Sequence, residues 1–113
     1  MFVQRVELAV AEGHETAFET ALCEARQRVF MSRGFRGFTV AQGVEHPSTY
    51  LVQVLWETGD ELADVVESGR FERCWAPVEP FLARPLRVDH FVERPGLALN
   101  GPGGITDLAW LSE

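Results

Sequence analysis

Residues 51–62 read LVQVLWETGDEL, and their pattern decides the fold. The first six alternate as a strand whose two faces are both apolar, with Val52, Val54 and Trp56 on one side and Leu51 and Leu55 on the other. Gln53 alone interrupts the pattern. Such a strand needs a cover on each side, and the residues that follow supply one. Thr58 and Glu61 have capping-box spacing: the threonine hydroxyl can accept from the Glu61 amide while the glutamate reaches back to the Thr58 amide. Leu62, Val65 and Val66 give the resulting helix its apolar side.

Upstream, residues 2–10 alternate as a strand, and residues 15–33 carry Phe18, Ala21, Leu22, Ala25 and Val29 at helical spacing. Gly34 is the expected helix stop. GFRGFTVAQGVEH (34–46) predicts a second strand, ended by Pro47, which cannot donate to a ladder. Downstream of the capped helix, Ser68-Gly69 is a break, and Phe71, Trp75 and Val78 predict another turn or two before Pro77 and Pro80 end it. After Pro85, LRVDHFVE predicts a fourth strand with Leu86, Val88, His90 and Val92 on one face and Asp89 and Phe91 on the other.

The order β-α-β-β-α-β predicts an α+β domain, ferredoxin-like, with helices on one face of a four-stranded antiparallel sheet. Because the third strand is apolar on both faces, the bare side would expose an apolar patch larger than soluble monomers usually tolerate. A second copy, sheet against sheet, is the expected cover, with Gln53 at the contact. The domain is expected to span residues 1–93. The Gly- and Pro-rich tail, 94–113, contains Trp110 and Leu111 and is expected either to strap across that homodimer or to remain a flexible end.

Composition limits the function. The chain has 113 residues, 46% apolar and 24% charged, as expected for one globular domain rather than a disordered chain. A net charge of −7 argues against a nucleic-acid backbone or an anionic membrane as partner. No run of about 20 apolar residues is present, the N-terminus lacks the form of a signal peptide, and Cys23 and Cys74 read as free thiols, so the expected location is cytoplasmic. His14, His46 and His90 are too dispersed for a metal signature. No P-loop or dinucleotide fingerprint is found; GPGG (101–104) lacks the strand and helix that a phosphate loop needs.

GFRGF, YLVQVLWET, ESGRFERCW and PLRVDHF, in that order and spacing over residues 2–93, resemble the antibiotic biosynthesis monooxygenase domain, a dimeric α+β barrel family. The resemblance implies a homodimer acting on an aromatic, polyketide-type small molecule in secondary metabolism, without a metal, flavin or heme cofactor. Oxygenase members place a tryptophan at the end of the third strand, and Trp56 matches it. Their Asn, His and Tyr positions are occupied here by Val52, Ala41 and Leu62. Heme-degrading members carry a histidine where this chain has about Trp75, and their strand-one Asn has no match in FVQRVE. Cyclisation or isomerisation on the same scaffold, and ligand binding without catalysis, are the alternatives.

The expected pocket lies between sheet and helices. Phe18, Leu22, Val40, Val52, Val54, Leu62, Phe71 and Trp75 would line it, an apolar set suited to a planar ligand. Trp56 reads equally as a core aromatic and as a pocket wall whose indole offers a flat face and one N–H donor. His90 reads as a hydrogen-bonded core residue or, if its face lines the pocket, as the acid–base group. Trp56 and His90 are therefore the candidate catalytic residues.

Overall fold

The computed structural model describes residues 1–99, so the expectations for Trp110, Leu111 and GPGG lie outside the described residues. Strand β1 (Phe2–Ala9) lies between β3 (Thr49–Trp56) and β4 (Arg87–Val92), and β2 (Phe35–Gln42) completes the antiparallel order β2-β3-β1-β4. Helix α1 (Glu15–Phe30) connects β1 to β2. Helices α2 (Gly59–Glu67) and α3 (Arg70–Trp75) and a 3-10 helix (Ala76–Phe81) connect β3 to β4. This is the ferredoxin-like α+β arrangement that the alternation predicts.

The period of two along each strand puts one residue set under the helices. Phe2 pairs with Trp56 and Val92, Gln4 with Val54 and His90, and Val6 with Val52 and Val88. On this face Val6, Val52 and Val54 are fully buried, and Trp56 is 1% exposed. Phe18, Leu22, Ala25 and Val29 of α1, Leu62 and Val65 of α2, and Phe71, Cys74 and Trp75 of α3 close over them. Fully burying a side chain of this size contributes roughly 1.5–3 kcal/mol. The opposite face carries Val3, Arg5, Glu7, Leu51, Gln53, Leu55 and Phe91, with no element of the described residues over it.

Three local details differ from the sequence-based expectation. Helix α1 ends at Phe30 rather than Arg33, because Met31–Arg33 form the turn into β2; the Met31 amide donates to the Gln27 carbonyl, the Ser32 amide donates to the Val29 carbonyl, and Gly34 takes φ 83°. Strand β2 stops at Gln42, four residues earlier than residue 46, where Gly43 turns the chain and its amide donates to the Thr49 carbonyl at 2.8 Å. Only one half of the capping box is made. Thr58 Oγ1 accepts from the Glu61 amide at 3.2 Å, whereas the Glu61 side chain lies over Gly34 with Oε2 buried and unpartnered.

Strand β2 also has a β-bulge. The register shifts between Phe35, opposite Trp56, and Gly37, opposite Leu55, so Phe35 and Phe38 both reach the helix side. Phe35 packs edge-on to Trp56, with ring centroids 6.5 Å apart, and Phe38 stacks on Trp75 at 6.1 Å.

Candidate functional site

The sequence-predicted pocket residues do not surround one cavity. Phe18, Val52 and Val54 are fully buried, and Leu22 packs with them in the core. Val40 lies on the edge strand β2 and is 48% exposed. Phe18, Leu22, Val52 and Val54 are close-packed with one another: alternation marks the inward face but does not distinguish a filled space from an empty one.

Among the described residues, grooves open beside the helices, one at the segment leading into β4 and one at β4 itself. The larger, about 540 Å³, is lined by Phe71, Glu72, Trp75, Glu79, Leu82, Arg84, Pro85 and Leu86. The smaller, about 360 Å³, is lined by Phe2, Gly59, Leu62, Ala63, Val66, Glu67 and His90. Phe71 and Trp75 of the predicted set therefore meet in one groove, and Leu62 and His90 in the other. Leu86 and His90 are separated by about 13 Å at strand rise. Val88, between them on the same face, packs against the core.

Geometry explains why β4 can carry a site. It is an edge strand, paired on one side with β1 only. Its face is incompletely covered, so Val88 is half-buried and His90 and Val92 are exposed. His90 is thus not a buried core histidine. Its Nε2 lies 3.2 Å from Nε2 of Gln4, whose side chain is 1% exposed and sits opposite it in the β1–β4 ladder. Gln4 was not singled out by the sequence. The available signal was a polar residue between Phe2 and Val6 on an otherwise apolar strand face.

Trp56 lies beneath this region, opposite Phe2 in the sheet, and its indole N–H is buried without a hydrogen-bond partner among the described residues. At the far end of β3 the polar groups are satisfied. Tyr50 donates to Glu19 Oε2 at 2.5 Å and accepts from Gln42 Nε2 at 3.3 Å. Burial, then the Glu19 carboxylate, push the Tyr50 hydroxyl up to about 12. Gln42 also donates to the Pro47 carbonyl at 2.7 Å. Burial raises the Cys74 thiol in spite of Arg70, Arg28 and Arg73 nearby, and Cys23 is exposed; both are free.

His14 and His46 are exposed. Arg70 and Arg73 flank neither groove. Among the described residues, no three His, Cys, Asp or Glu side chains come together to hold a metal ion, and no helix is long and apolar enough to cross a membrane.

The family model for antibiotic biosynthesis monooxygenases matches residues 1–76, two-thirds of the chain. The chain belongs to that family. A candidate antibiotic biosynthesis monooxygenase from Bordetella bronchiseptica is 28% identical in sequence, with a TM-score of 0.70, 82% of this chain covered and 97% of that one. Another, from Deinococcus radiodurans, superposes with a TM-score of 0.72 at 12% identity, covering 89% of this chain and all of the other. SnoaB, a cofactor-independent oxygenase from Streptomyces nogalater, superposes with a TM-score of 0.67 at 15% identity, covering 82% of this chain and 93% of its own. The last two show the fold alone. No curated protein sequence matches the chain. The fold is of the monooxygenase type, and the match stops at α3, short of β4 and its histidine.

Proposed function

We propose that the chain is a cofactor-independent monooxygenase of secondary metabolism, acting on an aromatic polyketide-type molecule. The observation that carries this reading is the aromatic-walled groove of Phe71 and Trp75, open on the helix side of a chain of this family. The ring system lies against Phe71 and Trp75, with Arg84 available to an anionic oxygen, and the ligand extends past Val88 to bring its reacting end to His90 in the smaller groove. His90 handles the proton.

For an anthrone, loss of a methylene proton gives an electron-rich anion, which passes one electron to O₂. The carbon radical and superoxide recombine as a peroxide. Loss of water from the peroxide leaves a carbonyl, so one oxygen atom stays on the ring and the other leaves as water. The protein's part is to hold the anion and keep bulk water away. The unpartnered Trp56 N–H, beside Phe2 of the smaller groove, supports a role as donor to an oxygen of ligand or water.

The working form we propose is a homodimer of the 1–93 domain, with the uncovered sheet faces packed together around Leu51, Leu55 and Gln53. Light scattering of the purified protein tests it, a monomer mass being the contrary result. The free Cys23 and Cys74 support a reducing, cytoplasmic setting.

The test of activity is oxygen uptake by metal-stripped protein with a panel of anthrones, corrected for spontaneous oxidation. Saturable uptake that falls in Trp56→Phe and in His90→Ala is the expected result. No uptake, with the same compounds quenching tryptophan fluorescence, overturns the oxygenase reading in favour of cyclisation, isomerisation or binding. That second reading is favoured by Val52, Ala41 and Leu62 at positions where oxygenase members carry polar residues.

A further inference from the structure

The Gln4–His90 pair couples the centre of the sheet to a groove-lining ring. Gln4 is paired with β3 on one side and β4 on the other, so its side chain rises from a strand held at both edges. At 1% exposure its carboxamide has little access to water, and among the described residues its side chain hydrogen-bonds to His90 alone. The contact is nitrogen to nitrogen. Since an amide nitrogen can only donate, a His90 Nε2 that also carried a proton would set two donors against each other.

We propose that Gln4 is the positioning residue of His90: it donates to Nε2, so the neutral ring carries its proton on Nδ1 and offers the groove an N–H rather than a lone pair. The ligand group that fits this arrangement is an acceptor oxygen, a carbonyl or phenolate. Besides Gln4 from β1, Glu67 of α2 lines the same groove as the ring; Asp89 lies on the other face of the strand. For Nδ1 to accept a proton, the Gln4 amide turns over and its oxygen takes the Nε2–H. Gln4 therefore sets which of two tasks the ring performs, holding an oxyanion or removing a proton. Only this last step rests on the proposed oxygenase function; the tautomer does not.

The test is nitrogen-15 NMR of the full chain, labelled at histidine, in buffer alkaline enough to leave the rings neutral. His14 and His46, both exposed, serve as references for the Nε2–H form that a free imidazole side chain favours. The wild-type His90 ring is expected to show the opposite pattern, Nδ1 protonated and Nε2 bare. Gln4→Met should return it to the reference pattern. Gln4→Glu, whose carboxylate only accepts, should place the proton on Nε2. A wild-type ring protonated on Nε2, or an Nδ1–H form that persists in Gln4→Met, overturns the proposal. If Gln4→Met does not fold, the wild type and Gln4→Glu still decide it. The expected tautomer in a protein that consumes no oxygen would sink the oxygenase reading and leave this one standing.

Discussion

The two faces of the sheet are built from the same four strands and differ in nearly every physical respect. Under the helices, Val6, Val52, Val54 and Trp56 are sealed by side chains of α1, α2 and α3. On the other face Leu51 and Leu55 are only half-buried, Gln53 is exposed and Phe91 is 48% exposed. The covered face is completed by the chain itself. The uncovered face mixes Arg5, Glu7 and Gln53 with leucines, a composition suited to a surface that meets water or a partner rather than a core. A residue's contribution to stability should therefore depend on its parity along the strand more than on its hydrophobicity.

Trp56→Ala gives the largest expected break. It removes a 99%-buried indole from beneath α2 and should cost about 3–5 kcal/mol, read as a fall in the urea midpoint. Gly34→Ala attacks the corner that ties α1 to this face. The left-handed φ of 83° and the overlap of any Cβ with the Glu61 side chain should together cost about 1–3 kcal/mol in the same titration.

Tyr50→Phe removes the hydroxyl bonded to Glu19 and should cost about 1 kcal/mol at neutral pH. It should also change the alkaline limb of the stability curve. The folded protein holds the Tyr50 proton up to about 12, so its contribution is complete below the unfolded value near 10 and is lost as pH rises through about 12. Wild-type stability should fall over that window and the Phe variant should fall less, measured by denaturation at stepped pH.

Leu55→Asp, on the uncovered face, has the smallest expected effect on the isolated fold, within about 0.5 kcal/mol at protein concentrations that keep it monomeric. Its effect on association should be large: light scattering should show the proposed dimer for the wild type and a monomer for the variant. A loss of several kcal/mol for Leu55→Asp, comparable with Trp56→Ala, would erase the distinction between the faces.

The fold was legible because alternation reports on neighbouring residues of the same chain. LVQVLW shows which of its residues share a face, and Thr58 marks the start of the next helix. The site was less legible. Gln4 and His90 are 86 residues apart, and only the β1–β4 register brings their side chains together. The bulge between Phe35 and Gly37 interrupts alternation, so Phe35 joins Phe38 on the helix side, and Val40, on that same side, is 48% exposed. Phe18, Val52 and Val54 share with true groove residues the property of facing inward. Whether such residues touch a void depends on how far α2 and α3 stand from β4, a distance that no local pattern carries.

The position of β1 in the sheet has a consequence for synthesis. This strand is among the first parts of the domain to be made, yet it lies between β3 and β4, with Phe2 facing Trp56 on one side and Val92 on the other. At typical translation rates of about 5–20 residues per second, roughly 90 residues take on the order of ten seconds. For that interval β1 is denied its second neighbour, and Phe2, Gln4 and Val6 keep an unpaired strand edge. Chaperone engagement of the nascent chain would act in that window, and shortening it, by moving the β4 segment ahead of β1 in a circular permutant, would change the folding route without changing the folded sheet.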